Sequence, residues 1–126
     1  MFTAGIVAEF NPFHKGHAYL IAESRRRGAS HIAVAMSGAA VQRGETAICS
    51  KHERAAAAVA NGADLVIELP APFSCSAAPW FADSAVQILG QLNINALAFG
   101  SEFESAELLK NAANAMQNLS DSEAVK

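Results

Sequence analysis

Gly5-Ile6-Val7-Ala8-Glu9-Phe10-Asn11-Pro12-Phe13-His14-Lys15-Gly16-His17 is a strand, a turn and a helix start in one segment. Ala4 to Ala8 is a short continuous apolar run, the mark of a strand buried on both faces. Phe10-Asn11-Pro12-Phe13 carries the turn residues that stop it. From His17 to Arg27 the spacing predicts a helix with Ala18, Ile21 and Ala22 on one face. A helix N-terminus presents free backbone N–H groups and the positive end of the helix dipole, which together attract anions. Gly16 has no Cβ and lets a ligand come close to the backbone. Two imidazoles three residues apart, His14 and His17, can converge on one phosphate and stabilise charge developing on it. Alone, a His-x-x-His pair more often marks a capped turn with two solvated rings. The strand before it, the glycine inside it and the helix after it turn the reading toward a nucleotide site. Two histidines also suit a metal, but no third or fourth ligand is spaced nearby.

Beyond this segment the same alternation recurs. Arg25, Arg26 and Arg27 complement the dipole at the end of the first helix, and Gly28 can close it. His31–Met36, Leu65–Leu69 and Ala96–Phe99 read as three more strands. Ser50 and Glu53 have capping-box spacing ahead of an alanine-rich helix that runs to Gly62. A further helix from about Pro79 to Leu89 places Phe81, Ala85, Ile88 and Leu89 on one stripe. The last, from about Glu104 to Asn118, places Leu108, Leu109, Ala112 and Met116 inward. Ser37 to Glu45 carries turn residues and little period. Four strands separated by helical stretches predict an α/β fold with a parallel, doubly wound, Rossmann-like sheet of order 3-2-1-4. Its ligand is expected at the carboxyl ends of the strands, where the polar and glycine-rich residues gather. The expected domain covers residues 1–119, with 120–126 as a frayed tail.

Length and charge narrow the function. The chain has 126 residues, 52% of them hydrophobic and 17% charged, which suits one packed domain and argues against disorder. No apolar run approaches the roughly 18 residues of a membrane span. No basic stretch precedes a greasy one at the N-terminus, so no signal peptide is read. Two cysteines, Cys49 and Cys75, make neither a disulfide framework nor a zinc site. A reducing, cytoplasmic setting is expected. The net charge is −3, with seven acids against seven bases through residue 100 and the deficit beyond it. Without a basic stripe, this chain alone is expected to bind nucleic acid weakly.

The segment resembles the His-x-Gly-His signature of the nucleotidyltransferase superfamily related to class I aminoacyl-tRNA synthetases. It is more closely similar to the bacterial tRNA(Met) cytidine acetate ligase family. The blocks that carry the resemblance are Glu9 to His17, Met36-Ser37-Gly38, Val41-Gln42-Arg43-Gly44-Glu45, Gly62 to Pro70 and Phe99-Gly100-Ser101-Glu102. His-x-Gly-His alone is a weak signal, whereas these blocks in order are specific. The resemblance implies activation of acetate by ATP as acetyl-adenylate, then acetylation of N4 of the wobble cytidine of elongator tRNA(Met). It implies ATP binding by Val7, Ala8, Glu9, Phe10, Asn11, Pro12, Phe13, His14, Lys15, Gly16, His17, Ala18, Tyr19 and Leu20, and by Gly100. Mg²⁺ is expected to accompany the triphosphate, and acetate and tRNA(Met) to be partners, the tRNA through parts of the family's longer chain. On this reading the sequence corresponds to the N-terminal portion of that family, truncated at its C-terminal side. It departs from the family at Ala39-Ala40, where a bulky aromatic is usual before Val41, and at Pro79, where a glutamate is expected.

Other residues admit two readings. Gln42, Arg43, Lys51 and Arg54 can bring positive charge to a triphosphate or tRNA, or can form surface ion pairs. Glu9 can orient a histidine or cap a turn. Ser101 and Glu104 have capping-box spacing, and Gly100 can admit a base or ribose closely. His31 and His52 read as surface or strand-edge residues, and Trp80 and the phenylalanines as core. Two other functions share the histidine pair: a small-molecule adenylyl- or cytidylyltransferase, and a nucleotide-binding remnant without turnover.

Overall fold

A computed structural model describes residues 1–102 and 105–124. The four apolar runs form β1 (Thr3–Ala8), β2 (His31–Ser37), β3 (Leu65–Leu69) and β4 (Ala96–Ala98). They make one parallel sheet in the order β3-β2-β1-β4. This is the expected order, and it puts β1 between β2 and β4. Helices α1 (Lys15–Arg26), α2 (Lys51–Ala60), α3 (Ala78–Gln91) and α4 (Ala106–Ala124) follow the strands.

The apolar residues of these strands point to both faces of the sheet, so both faces must be covered. On one face Ile6, Ile32, Val34 and Met36 pack with Ile21 of α1 and Ala58 of α2. On the other, Ala33, Ala35 and Leu69 pack with Phe81, Ala85 and Leu89 of α3. Helix α3 lies close against β1, where a methyl group at Gly5 would come within 3.1 Å of Leu89 Cδ1.

The helix stripes differ in part from their sequence reading. In α1 the buried residues are Ile21 and Ser24, while Ala22 is exposed. The Ser24 hydroxyl donates to Leu20 O at 2.7 Å, which lets a polar residue face the sheet. Helix α1 also begins at Lys15, because His14 caps it. In α4, Leu109 and Ala112 are half-buried, but Leu108 and Met116 are exposed. The helix runs through Ala124, so residues 120–124, expected to fray, continue it. Glu104, read as its start and as a cap partner of Ser101, lies outside the described residues. Trp80 is 68% exposed rather than core. It stands beside Pro79 in the first turn of α3, where proline is tolerated because its missing N–H would have had no partner.

The arginines at the end of α1 do more than meet its dipole. Arg26 and Arg27 both donate to Glu23, and these bonds hold its carboxyl down at about 2. Arg25 reaches Gly62 O at 2.9 Å and the Asp64 carboxylate at 2.5 Å. Asp64 in turn accepts the Ile32 N–H at 2.7 Å, joining the entry of β2 to that of β3. Gly62-Ala63-Asp64 therefore builds the end of the sheet opposite the strand carboxyl ends. The bond from Ile32, then the charge of Arg25, hold the Asp64 carboxyl below its ordinary value of 3.8.

Asp64→Ala is expected to cost about 1–3 kcal/mol in urea unfolding at pH 7, because it orphans the buried Ile32 N–H. A lowered carboxylate pKa stabilises the fold above the unfolded value and loses that contribution as pH falls through the folded one. The gap between the urea midpoints of parent and variant should therefore begin to narrow below about pH 3.8 and level off below the folded value; a gap that stays constant into acid would exclude the carboxylate's charge as a source.

Candidate active site

Past the end of β1 the chain reverses within six residues, Glu9 to His14. Phe10 is buried and adopts φ +49°, a left-handed conformation that bulky residues rarely take. Its ring meets Phe13 edge-on at 4.9 Å and His17 at 4.8 Å. The two phenylalanines form an apolar wall behind His17, and this placement explains why both flank the motif.

The turn ends in a reciprocal cap built from histidines. His14 is the N-cap of α1 with extended backbone, φ −139° and ψ 175°. Its Nδ1 accepts the Gly16 N–H at 3.1 Å. His17, at the third helical position, accepts the His14 N–H on its own Nδ1 at 3.2 Å. Imidazoles here take the places of the serine and glutamate of a usual capping box. The rings stack, centroids 3.6 Å apart and 19° from parallel.

This geometry fixes the chemistry of both rings. A nitrogen that accepts a hydrogen bond carries no proton, so each neutral imidazole is protonated at Nε2. Each ring therefore offers one Nε2–H donor directed away from its cap. Protonating a ring at Nδ1 would break its cap bond. For His17, burial against the phenylalanines and then the neighbouring His14 press the pKa below 6.5. So long as both cap bonds stand, the pair presents two uncharged donors at a helix N-terminus.

His14, Gly16 and His17 open on a groove of about 880 Å³ whose far wall includes Phe99, Gly100 and Ser101. Among the described residues none comes within 4 Å of where a side chain at Gly100 would begin. Of the residues expected at a nucleotide, Tyr19 and Leu20 also line this groove. Val7 and Ala8 lie in β1 and pack within the core. Lys15 is exposed at the first position of α1, and Ala18 lies one turn on. Pro12 and Phe13 lie on the far side of the turn, against Arg54.

Several sequence readings change. Glu9 neither orients a histidine nor caps its own turn: its Oε1 accepts the Gln42 N–H at 3.0 Å. Asn11 Oδ1 accepts the Ile48 N–H at 2.7 Å. Together they seat the segment 38–48, which forms a 3-10 turn at Gln42–Gly44 and an antiparallel bridge from Ala40 to Thr46. Arg43 is exposed at φ +64°. Lys51 pairs with Glu68 at 2.7 Å, its surface-ion-pair reading. Arg54, for which the sequence admits a phosphate-facing cation or a surface ion pair, is buried.

Comparison with known proteins follows the same lines. The model of the HIGH Nucleotidyl Transferase family matches residues 1–125. The tRNA(Met) cytidine acetate ligase of Anoxybacillus flavithermus is 49% identical over 108 residues, 85% of this chain and 27% of that protein. That of Streptococcus mutans is 53% identical over 102 residues, 81% of this chain and 27% of that protein. The crystal structure of Thermotoga maritima TmcAL bound with alpha-thio ATP superposes with a TM-score of 0.86 at 37% identity. That likeness covers 92% of this chain and 29% of the Thermotoga chain. The chain thus spans about a quarter of the length of the curated relatives it matches.

Lowering of the His17 pKa has a measurable sign. The unfolded chain takes up a proton as pH falls below about 6.5, while the folded chain resists until its lower value is reached. Stability is expected to decline from about pH 6.5 downward and to level off below the folded value. Imidazole titration by NMR should place His17 below 6.5; titration at or above that value would contradict the capped, desolvated ring.

Proposed function

The chain belongs to the HIGH nucleotidyl transferase family, and from that premise we propose that it is the adenylate-forming part of a tRNA(Met) cytidine acetate ligase. The observation that carries this reading is the reciprocal cap, which leaves two neutral Nε2–H donors side by side at a helix N-terminus. Support comes also from the printed names of the relatives and from the alpha-thio ATP held by the Thermotoga protein.

In the proposed reaction an acetate oxygen attacks the α-phosphorus of ATP. An acyl–phosphate bond forms, the bond to the β-phosphate breaks, and pyrophosphate leaves. Negative charge grows on the non-bridging α-phosphate oxygens as this happens. His14 and His17 donate to those oxygens from Nε2, aided by the free N–H groups of the first turn of α1. Because both rings are uncharged, neither donor has to be desolvated as an ion. Neither acts as a nucleophile. Gly16 and Gly100 let the nucleotide approach the backbone from the two walls of the groove. Mg²⁺ enters with the triphosphate; among the described residues no three His, Cys, Asp or Glu side chains converge on a cage of their own. In a second step N4 of the wobble cytidine of elongator tRNA(Met) attacks the acetyl carbonyl, and AMP leaves. With seven acids against seven bases through residue 100, this chain adds little to tRNA affinity by itself. The proposed setting is the cytoplasm; no helix among the described residues is long and apolar enough to cross a membrane.

A chimera in which this chain replaces the matching segment of the Anoxybacillus ligase tests the reading. It is expected to exchange pyrophosphate into ATP only when acetate is present. His14→Ala or His17→Ala should lower that exchange about 10²–10³-fold, with a smaller loss of ATP affinity. Exchange that ignores acetate would point to small-molecule nucleotidyl transfer. Unchanged exchange in folded histidine variants would overturn the assignment.

A further inference from the structure

Arg54 is the largest fully buried side chain among the described residues, at 1% exposure. It leaves α2 and ends on main-chain oxygens alone. Nε donates to Cys49 O at 3.1 Å, Nη1 to Glu9 O at 2.7 Å and to Ser37 O at 3.0 Å, and Nη2 to Gly38 O. Among the described residues no carboxylate lies within ion-pair distance of it. The Glu9 carboxylate is engaged with the Gln42 N–H instead. A buried guanidinium without a counter-ion is costly, and a purely structural tie between carbonyls and N–H groups would be met at lower cost by neutral donors.

The acceptors explain why a cation stands here. Glu9 O, Ser37 O and Gly38 O mark the carboxyl ends of β1 and β2, where parallel sheets leave carbonyls without ladder partners and where such sheets bind ligands. Carbonyl oxygens gathered at that edge carry partial negative charge and oppose a phosphate. One planar fork of N–H donors answers three of them at once, which an ammonium with its point charge does not match.

The same side chain supports the turn that delivers His14. It holds Glu9 at the start of the turn, and Gly38 and Cys49 at the two ends of the segment seated on it. The Glu9–Gln42 and Asn11–Ile48 bonds repeat the tie further along. Pro12 and Phe13 close over Arg54 at a small cavity of about 170 Å³, on the side of the turn away from the groove.

We propose that Arg54 is a positioning residue for the nucleotide chemistry: it holds the Glu9–His14 turn against the ends of β1 and β2, sets the place of His14 and His17, and cancels the strand-end carbonyls beside the phosphate position. This rests on the reading of the histidine pair as the phosphate-facing donors.

The full 126-residue chain carrying Arg54→Lys or Arg54→Met tests it. Both variants are expected to keep the circular dichroism of the parent and to bind ATP at least about tenfold more weakly, because the loosened turn misplaces the two histidine donors. His17, followed by NMR titration, should move toward its ordinary value as its cap loosens, and lysine should not rescue either property. An Arg54→Lys variant that binds ATP and titrates like the parent would overturn the proposal. So would unfolding of both variants, which would make Arg54 a support of the whole fold. If the parent itself fails to bind ATP, the nucleotide reading falls, and the His17 titration still decides the positioning role.

Discussion

Two backbone N–H groups, those of His14 and Gly16, each end on the Nδ1 of an imidazole, and most of the site follows from that. The bonds start α1 where it starts. They fix the tautomer of both rings and leave both Nε2–H donors side by side, free of the cap. They also set a limit on charge, because an imidazolium cannot accept at Nδ1. A cationic histidine would attract a phosphate more strongly, but here it would dismantle its own support. The arrangement exchanges attraction for placement. That suits a reaction whose barrier lies in charge developing on an oxygen, where preorganised donors contribute most.

The sheet determines where this cap stands. With β1 between β2 and β4, the turn after β1 has a strand end on either side. On the β4 side lies the groove, with Gly100 across from the histidines. On the β2 side lies Arg54, filling the space behind the turn and joining it to the ends of β1 and β2. One side is open and lined for a ligand, while the other is closed by a buried cation. The Gly62-Ala63-Asp64 block and Arg25 hold the opposite edge of the sheet, so they secure the fold and leave the site to other residues.

The fold was legible because its signals are local and repeated. Four apolar runs, the caps at Ser50 and Gly28, and the stripe Phe81, Ala85 and Leu89 gave the elements, and the position of the first strand gave the order. The histidine pair was legible because its glycine and flanking elements have a period and a place. What stayed hidden depends on contacts with carbonyl oxygens, which leave no pattern in the side chains. Nothing about Glu9 announces that it accepts the N–H of Gln42 across the strand ends. Arg54 did leave one trace, since it shares a helical stripe with Ala58, and both are buried. An arginine among alanines reads as solvated unless that spacing is taken seriously. The histidine cap was hidden for another reason: serine and glutamate are the usual partners in such a box, so a capped turn is legible at this spacing but not that the two rings are themselves its capping groups.

The central claim is that both imidazoles are neutral, protonated at Nε2 and presented to the nucleotide. Nitrogen-15 spectra of the His14 and His17 side chains, recorded at neutral pH with and without ATP, test it most directly. The account predicts a proton on Nε2 and none on Nδ1 in both rings, with both Nε2–H signals shifting on addition of ATP. A proton on Nδ1 of either ring, or Nε2–H signals indifferent to ATP, would contradict it.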